Sequence, residues 1–236
     1  MIDDNNNTVI AQDIEALDAT MMKKQQQEYH KLPTGFTYVD DLIPNIQIDI
    51  KYSYDDNFTG NKVPGYDANR AIGTIQAVKA LKNIEAELNT LGLGLKIFDF
   101  YRPARACAHF KAWCLNGNDD AAAKRRFYPS IDKADLLKGY IAEYSSHSRG
   151  STVDLTIINL ETEEELDMGT EFDFLGEESH TNSNLVAKPA QLNRQLLVDV
   201  MNKHGFNNYS KEWWHFSLRD EPFKLTPQHH FDFVVR

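Results

Sequence analysis

The sequence predicts an α+β protein, a central antiparallel sheet flanked by helices and preceded by a polar N-terminal extension. Three observations predict it. Apolar residues recur every third and fourth position in some stretches and every second position in others. Helical and extended patterns follow one another in mixed order, with hairpin-like neighbours. No internal repeat is present.

The elements can be taken in order. Residues 1–34 are set apart by Asn5-Asn6-Asn7 and Lys23-Lys24-Gln25-Gln26-Gln27-Glu28, with weak helical periodicity over residues 10–22. This reads as an appended helix or a partly disordered arm, and residues 35–236 as the domain. Residues 36–39 and 46–52 alternate like half-buried strands. A loop rich in Asp, Asn, Gly and Pro spans residues 53–67. Ile72, Ile75, Val78, Leu81, Ile84 and Leu88 then form one face of a helix, which Gly92 and Gly94 should end. Residues 95–101 read as a strand, and Pro103 suits the first turn of a helix reaching Leu115. A loop and a short helix are expected over residues 116–140, a strand over 152–160 and an acidic hairpin or loop tip over 161–166. Residues 187–204 form a helix with Leu192, Leu196, Leu197 and Val200 inward and Gly205 as its stop; residues 212–218 return to strand.

Composition narrows the function. With 35 acids against 25 bases the formal net charge is −10, which argues against nucleic acid or an anionic membrane as a partner. No apolar run approaches the roughly 20 residues of a membrane span. No basic and apolar leader is visible after Met1, so the cytoplasm is expected, with the periplasm as the alternative. Cys107 and Cys114 lie too far apart on one helix for a disulfide, and two buried free thiols suit a reducing compartment.

Chemistry concentrates in two segments. Ser145-Ser146-His147-Ser148-Arg149-Gly150-Ser151-Thr152-Val153-Asp154 precedes Glu212-Trp213-Trp214-His215 by about sixty residues. Together they supply two imidazoles, a carboxylate and a spare glutamate, the inventory of a catalytic zinc site with an open position and an adjacent base. Asp154 opens an apolar run, where a charge must face solvent, pair, or bind metal. Gly150 permits a tight turn between His147 and Asp154. Glu212 and His215 point to opposite faces of a regular strand, so both reach one metal only across a bulge or a strand end. Each segment alone also fits a plainer reading, a hydrogen-bonded structural histidine or a core strand meeting solvent at its edge. Arg102, between a strand and a helix, is either a surface ion pair or a stabiliser of an oxyanion.

Several motifs in one order resemble a known family. They are Asp56-Asn57-Phe58-Thr59-Gly60, Tyr101-Arg102-Pro103, residues 145–154, Met168-Gly169, Phe172-Asp173-Phe174, Glu212-Trp213-Trp214-His215 and Leu218-Arg219-Asp220-Glu221-Pro222. This series is similar to that of the D-alanyl-D-alanine dipeptidases of the VanX type, zinc D-Ala-D-Ala peptidases with a hedgehog-like fold, over nearly all of residues 35–236. The resemblance implies one zinc ion on His147, Asp154 and His215, with Glu212 as general base and acid and Arg102 in the transition-state role. It implies that Asp173 lies near the substrate ammonium with Tyr52 helping, that Ser145 contacts substrate, and that Tyr66 serves the substrate carboxylate. Tyr52 and Tyr66 equally fit amphipathic packing with a wet hydroxyl. The implied substrate is a small D,D-dipeptide, and oligomeric state is not legible. The alternatives are a carboxypeptidase acting on peptidoglycan stems and a zinc-containing module that binds wall peptides without cutting them.

Overall fold

The computed structural model describes residues 32–118 and 120–236. The periodicity over residues 10–22 lies outside the described residues. Among these, the strands are β1 (Phe36–Tyr38), β2 (Gln47–Ile48), β3 (Ile72–Thr74), β4 (Leu93–Asp99), β5 (Thr152–Asn159), β6 (Phe206–Asn208) and β7 (His215–Leu218). The α-helices are α1 (Val39–Leu42), α2 (Ile75–Asn89), α3 (Ala104–Leu115), α4 (Ala121–Phe127) and α5 (Lys188–Lys203). The main sheet runs β2-β4-β5-β7-β6, and β1 pairs with β3 in a separate two-stranded ribbon. The pairs β4–β5, β5–β7 and β7–β6 are antiparallel as expected, while the short edge strand β2 joins β4 in parallel.

Strand β5 is the centre. Every residue from Thr152 to Ile158 is buried, because β4 and β7 flank it. Helix α2 packs on β4 and α5 on β6. The inward face of α2 carries Val78, Leu81, Ile84 and Leu88, as the spacing predicts. Fully burying each such side chain contributes about 1.5–3 kcal/mol, so this face alone outweighs the loss of any one hydrogen bond. Cys107 and Cys114 are both free and buried on α3.

Four expectations need correction. The strand over residues 46–52 is only Gln47–Ile48, because Ile50 N donates to the Asn69 side chain at 2.7 Å and Lys51–Ser53 coils into a 3-10 turn that buries Tyr52. Helix α2 starts at Ile75 rather than Ile72, since the Thr74 hydroxyl accepts from Ala77 N and caps it. Gly94 lies inside β4 rather than ending the helix. On α5, Leu192 is 59% exposed while Arg194 is turned inward.

One glycine holds the domain's parts in register. Gly150 has φ +76°, and a β-carbon there would stand 2.2 Å from the Phe36 ring. Its carbonyl accepts from Thr74 N at 2.7 Å, joining β3 to the turn that enters β5. Gly150→Ala combines a left-handed backbone with overpacking, and should cost roughly 2–4 kcal/mol. Urea unfolding of the metal-free protein measures it; an unchanged midpoint would mean that Phe36 simply moves aside.

Candidate active site

The sheet register builds the site. Asp99 on β4 pairs with Asp154 on β5, and Asp154 pairs with His215 on β7. Directly opposed residues project from the same face, so the three side chains form a row across adjacent strands. The row exists because β4 shifts register between Ile97 and Asp99, which places Asp99 rather than Phe98 opposite Asp154. His147 joins from a 3-10 turn, Ser146–Arg149, capped by the Ser145 hydroxyl and ended by left-handed Gly150. Glu212 lies in the turn before β7, whose first residue is His215. The strand end, rather than a bulge, brings these two together, and the expected strand over residues 212–214 is a turn instead.

The distances are short. His147 Nε2 is 3.3 Å from His215 Nδ1 and 3.3 Å from Asp154 Oδ2. His215 Nδ1 is 3.1 Å from Asp154 Oδ1 and 3.4 Å from Glu212 Oε2. His147 Nδ1 is 2.7 Å from the Phe100 carbonyl, which can only accept, so Nδ1 carries the proton and Nε2 keeps its lone pair toward the site. Asp154 Oδ1 is buried and makes no hydrogen bond. A buried carboxylate beside two imidazole nitrogens, with one oxygen free of any hydrogen bond, is what a divalent cation with nitrogen and oxygen ligands requires. His147, Asp154 and His215 each offer a ligand atom within 4.8 Å of the others, so the residues fit a metal.

Burial and charge set the proton affinities in the metal-free protein. Burial pushes the Glu212 carboxyl up to about 7, against the pull of His215. Burial opposes the charge of Asp154, yet the two imidazoles hold it below the usual carboxylate range. Burial lowers His147, whereas burial of His215 is outweighed by its close contact with the Asp154 carboxylate and the charge of nearby acids, which raise it. Asp99 is raised by burial. Arg102 lies between the two aspartates, with Nε 2.8 Å from Asp99 and Nη2 3.3 Å from Asp154. These bonds use two of its five donors.

A cavity of about 280 Å³ opens over this row. Its lining includes Arg102, Ser145, Asp154, Glu212 and His215, and also Tyr52 and Asp173. The Tyr52 hydroxyl donates to Asp173 at 3.0 and 3.2 Å. Asp173 has φ +63°, a strained backbone for a residue other than glycine. Its carboxyl is raised well above the usual range by burial and then by the charge of Asp154. Phe58, Phe110, Ile141, Leu175 and Trp214 give the cavity apolar walls.

Seven of the nine expected residues therefore line one cavity, and the buried His147 adjoins it through Asp154 and His215. Tyr66 is the exception: it is absent from the lining, 1% exposed, and its hydroxyl donates to Asp99 at 2.8 Å. It stands behind Arg102 rather than facing the cavity. Sequence reasoning missed Asp99 as a partner of Arg102, although the three-residue spacing between them was a usable sign. It also missed Tyr140 and Tyr209, which line the cavity from loops whose sequence carries no periodic signal.

Comparison with known proteins bears on this geometry. The profile of the Peptidase M15 family, described as D-Ala-D-Ala dipeptidase, matches residues 33–236. The chain is 42% identical over 203 residues to a D-alanyl-D-alanine dipeptidase of Enterococcus faecium, covering 86% of this chain and 98% of that one. It is 41% identical over 205 residues to one of Enterococcus faecalis, covering 86% and 100%. With one of Streptomyces coelicolor it shares 41% over 201 residues, covering 85% and 98%.

The raised Glu212 carboxyl has a measurable consequence for metal-free protein. The folded form holds this proton more tightly than the unfolded chain, so the associated stabilisation is complete below about 4.5 and is lost as pH rises through about 7. Between pH 4 and pH 8 the wild type should lose up to about 3 kcal/mol relative to Glu212→Gln. Urea unfolding of both chelator-treated proteins reads the difference; a constant gap across that window would show an ordinary carboxyl.

Proposed function

The chain belongs to the Peptidase M15 family of D-Ala-D-Ala dipeptidases, and from that premise we propose that it is a zinc metallopeptidase hydrolysing D-Ala-D-Ala to two molecules of D-alanine. The observation that carries this reading is one cavity lined by Asp154, His215 and Glu212 together with Asp173. A metal-binding set and a carboxylate suited to an ammonium suit a short substrate with a free amine.

His147, Asp154 and His215 hold the zinc through nitrogen and oxygen donors, a set that suits this metal. When bound, the ion supplies Lewis acidity, making water a usable nucleophile near neutral pH and polarising the scissile carbonyl. Glu212 removes a proton from the attacking water and later delivers it to the leaving nitrogen. Its carboxylate, with Oε2 3.4 Å from His215 Nδ1, lies beside the ligand set where it can do both. Arg102 stabilises the oxyanion while Asp99 and Asp154 hold its guanidinium in place. Asp173, supported by the Tyr52 hydroxyl, pairs with the substrate ammonium. The Ser145 oxygen accepts from His147 N and keeps its own proton to donate to substrate. Tyr66 is assigned to Asp99 rather than to the substrate carboxylate.

This chemistry belongs to residues 35–236. The free thiols Cys107 and Cys114 support a reducing, cytoplasmic setting. Among the described residues no helix is long and apolar enough to cross a membrane. The hydrolysis can serve glycopeptide resistance or the recycling of wall peptides with the same site.

Two measurements test the assignment. Glu212→Ala should keep one zinc per chain and lower kcat by roughly 10²–10⁴-fold, the usual worth of a general acid–base group. Near-normal turnover would remove Glu212 from that role. Zinc-loaded protein incubated with D-Ala-D-Ala, L-Ala-L-Ala and N-acetyl-D-Ala-D-Ala should release alanine from the first alone. Comparable cleavage of the acetylated compound would make the protein a carboxypeptidase, and zinc binding without any cleavage would make it a wall-peptide binding module.

A further inference from the structure

Asp173 sits on a stretch of chain without helix or strand, and something must hold it. The stretch runs from Met168 to Thr181, apart from one 3-10 turn at Glu177–Ser179. The buried guanidinium of Arg194, on α5, reaches both of its ends. Nε donates to the Met168 carbonyl at 2.7 Å, and Nη1 donates to the carbonyls of Glu178 and His180 at 2.8 Å each. Gly169 lets the loop lie against the helix, since a β-carbon there would stand 2.7 Å from Val186 and 3.1 Å from Ala190. A second clasp runs through Thr170, whose hydroxyl accepts from Trp213 Nε1 at 2.9 Å and bonds Ser179 Oγ at 2.8 Å.

Between these fastenings the loop drives Phe172 into the core, stacked on Phe98 with ring centres 4.8 Å apart. Leu175 N is bonded to the Phe127 carbonyl at 2.6 Å. Asp173 is left between two anchored neighbours, with its left-handed backbone fixed from both sides.

Stability alone does not explain the arginine. Among the described residues its hydrogen bonds all go to main-chain carbonyls, and Nη2 is buried without any partner. Burial lowers its pKa to about 10, against the weaker pull of Asp167. A well-packed apolar side chain of similar volume is often at least as stabilising as a buried charge. What an apolar residue cannot do is tie three carbonyls from two ends of one loop to one rigid helix.

We propose that Arg194 is the positioning residue of the ammonium subsite, holding both ends of the 168–181 loop so that Asp173 meets the substrate's free amine. This rests on the reading of Asp173 as the ammonium partner. Arg194 itself does not line the cavity and touches no reacting atom.

The experiment is a double-mutant cycle on the zinc-loaded enzyme, with kcat, KM and zinc content measured for D-Ala-D-Ala. Arg194→Lys should raise KM roughly tenfold, with kcat within about threefold of wild type and zinc stoichiometric. Asp173→Asn should also raise KM, and Arg194→Lys should add little in that background because both act through one contact. The same KM factor in both backgrounds, or a fall in kcat at unchanged KM, would overturn the proposal while leaving Asp173 its role. An unchanged KM for Asp173→Asn would instead remove the ammonium reading, and the proposal with it. If Arg194→Lys does not fold, Thr170→Val releases the same loop at its second clasp and is read by the same outcomes.

Discussion

Asp154 is a carboxylate in the middle of a strand buried on both faces, and the site is organised by the need to compensate it. An unpaired charge at that depth costs several kcal/mol. The protein surrounds it with His147 on one side, His215 on the next strand, and Arg102 behind. Even so, Oδ1 is left without a hydrogen bond. Arg102 brings a second buried acid, Asp99, which in turn engages Tyr66 and the Phe100 amide. The residues that would hold a metal are thus fixed before any metal arrives, by a network whose members have few other places to go. Such preorganisation is what lets a site bind its ion without reordering the chain.

The two ends of the cavity are built differently. The metal end rests on three hydrogen-bonded strands, with a short capped turn supplying His147. The proposed amine subsite at Asp173 rests on a loop, and the loop's accuracy is borrowed from α5 and from the tryptophan pair. Trp213 bonds Thr170 while Trp214 packs edge-on against Phe172, so the segment that carries Glu212 and His215 also braces the loop that carries Asp173. Sequence neighbours therefore support both the metal-binding row and the loop that carries Asp173.

The chemistry of this site was more legible in the sequence than its architecture. His147, Asp154, Glu212 and His215 stood out because charged and imidazole side chains beside apolar runs demand an explanation. The two-residue period left Glu212 and His215 either a bulge or a strand end, and the structure takes the strand end. The register shift that aligns Asp99 with Asp154 left no mark, because a bulge is decided by cross-strand packing that no local window contains. Arg194 was hidden for a related reason. Periodicity assigned the inward face of α5 to leucines, including Leu192, but the helix is rotated so that an arginine satisfies carbonyls of a distant loop. Tyr66 was legible as a residue of the site's neighbourhood but not as a support for Asp99, since only the fold places it behind Arg102.

The proposed selectivity for a free amine follows from the same electrostatics. In the empty cavity Asp173 resists ionisation, because it is buried and because Asp154 repels a second negative charge. An incoming ammonium reverses both effects: it neutralises the carboxylate it induces, and Tyr52 already donates to those oxygens. On the proposed reading, a peptide whose amine is acylated brings no charge to Asp173. It leaves a buried polar pair unmatched, and sites built around hydrogen bonds reject such ligands far more strongly than apolar pockets reject a missing methylene. On the proposed reading, discrimination against longer chains therefore comes from the Asp173 carboxylate in the cavity lining. It does not come from the metal end, which any peptide carbonyl could approach.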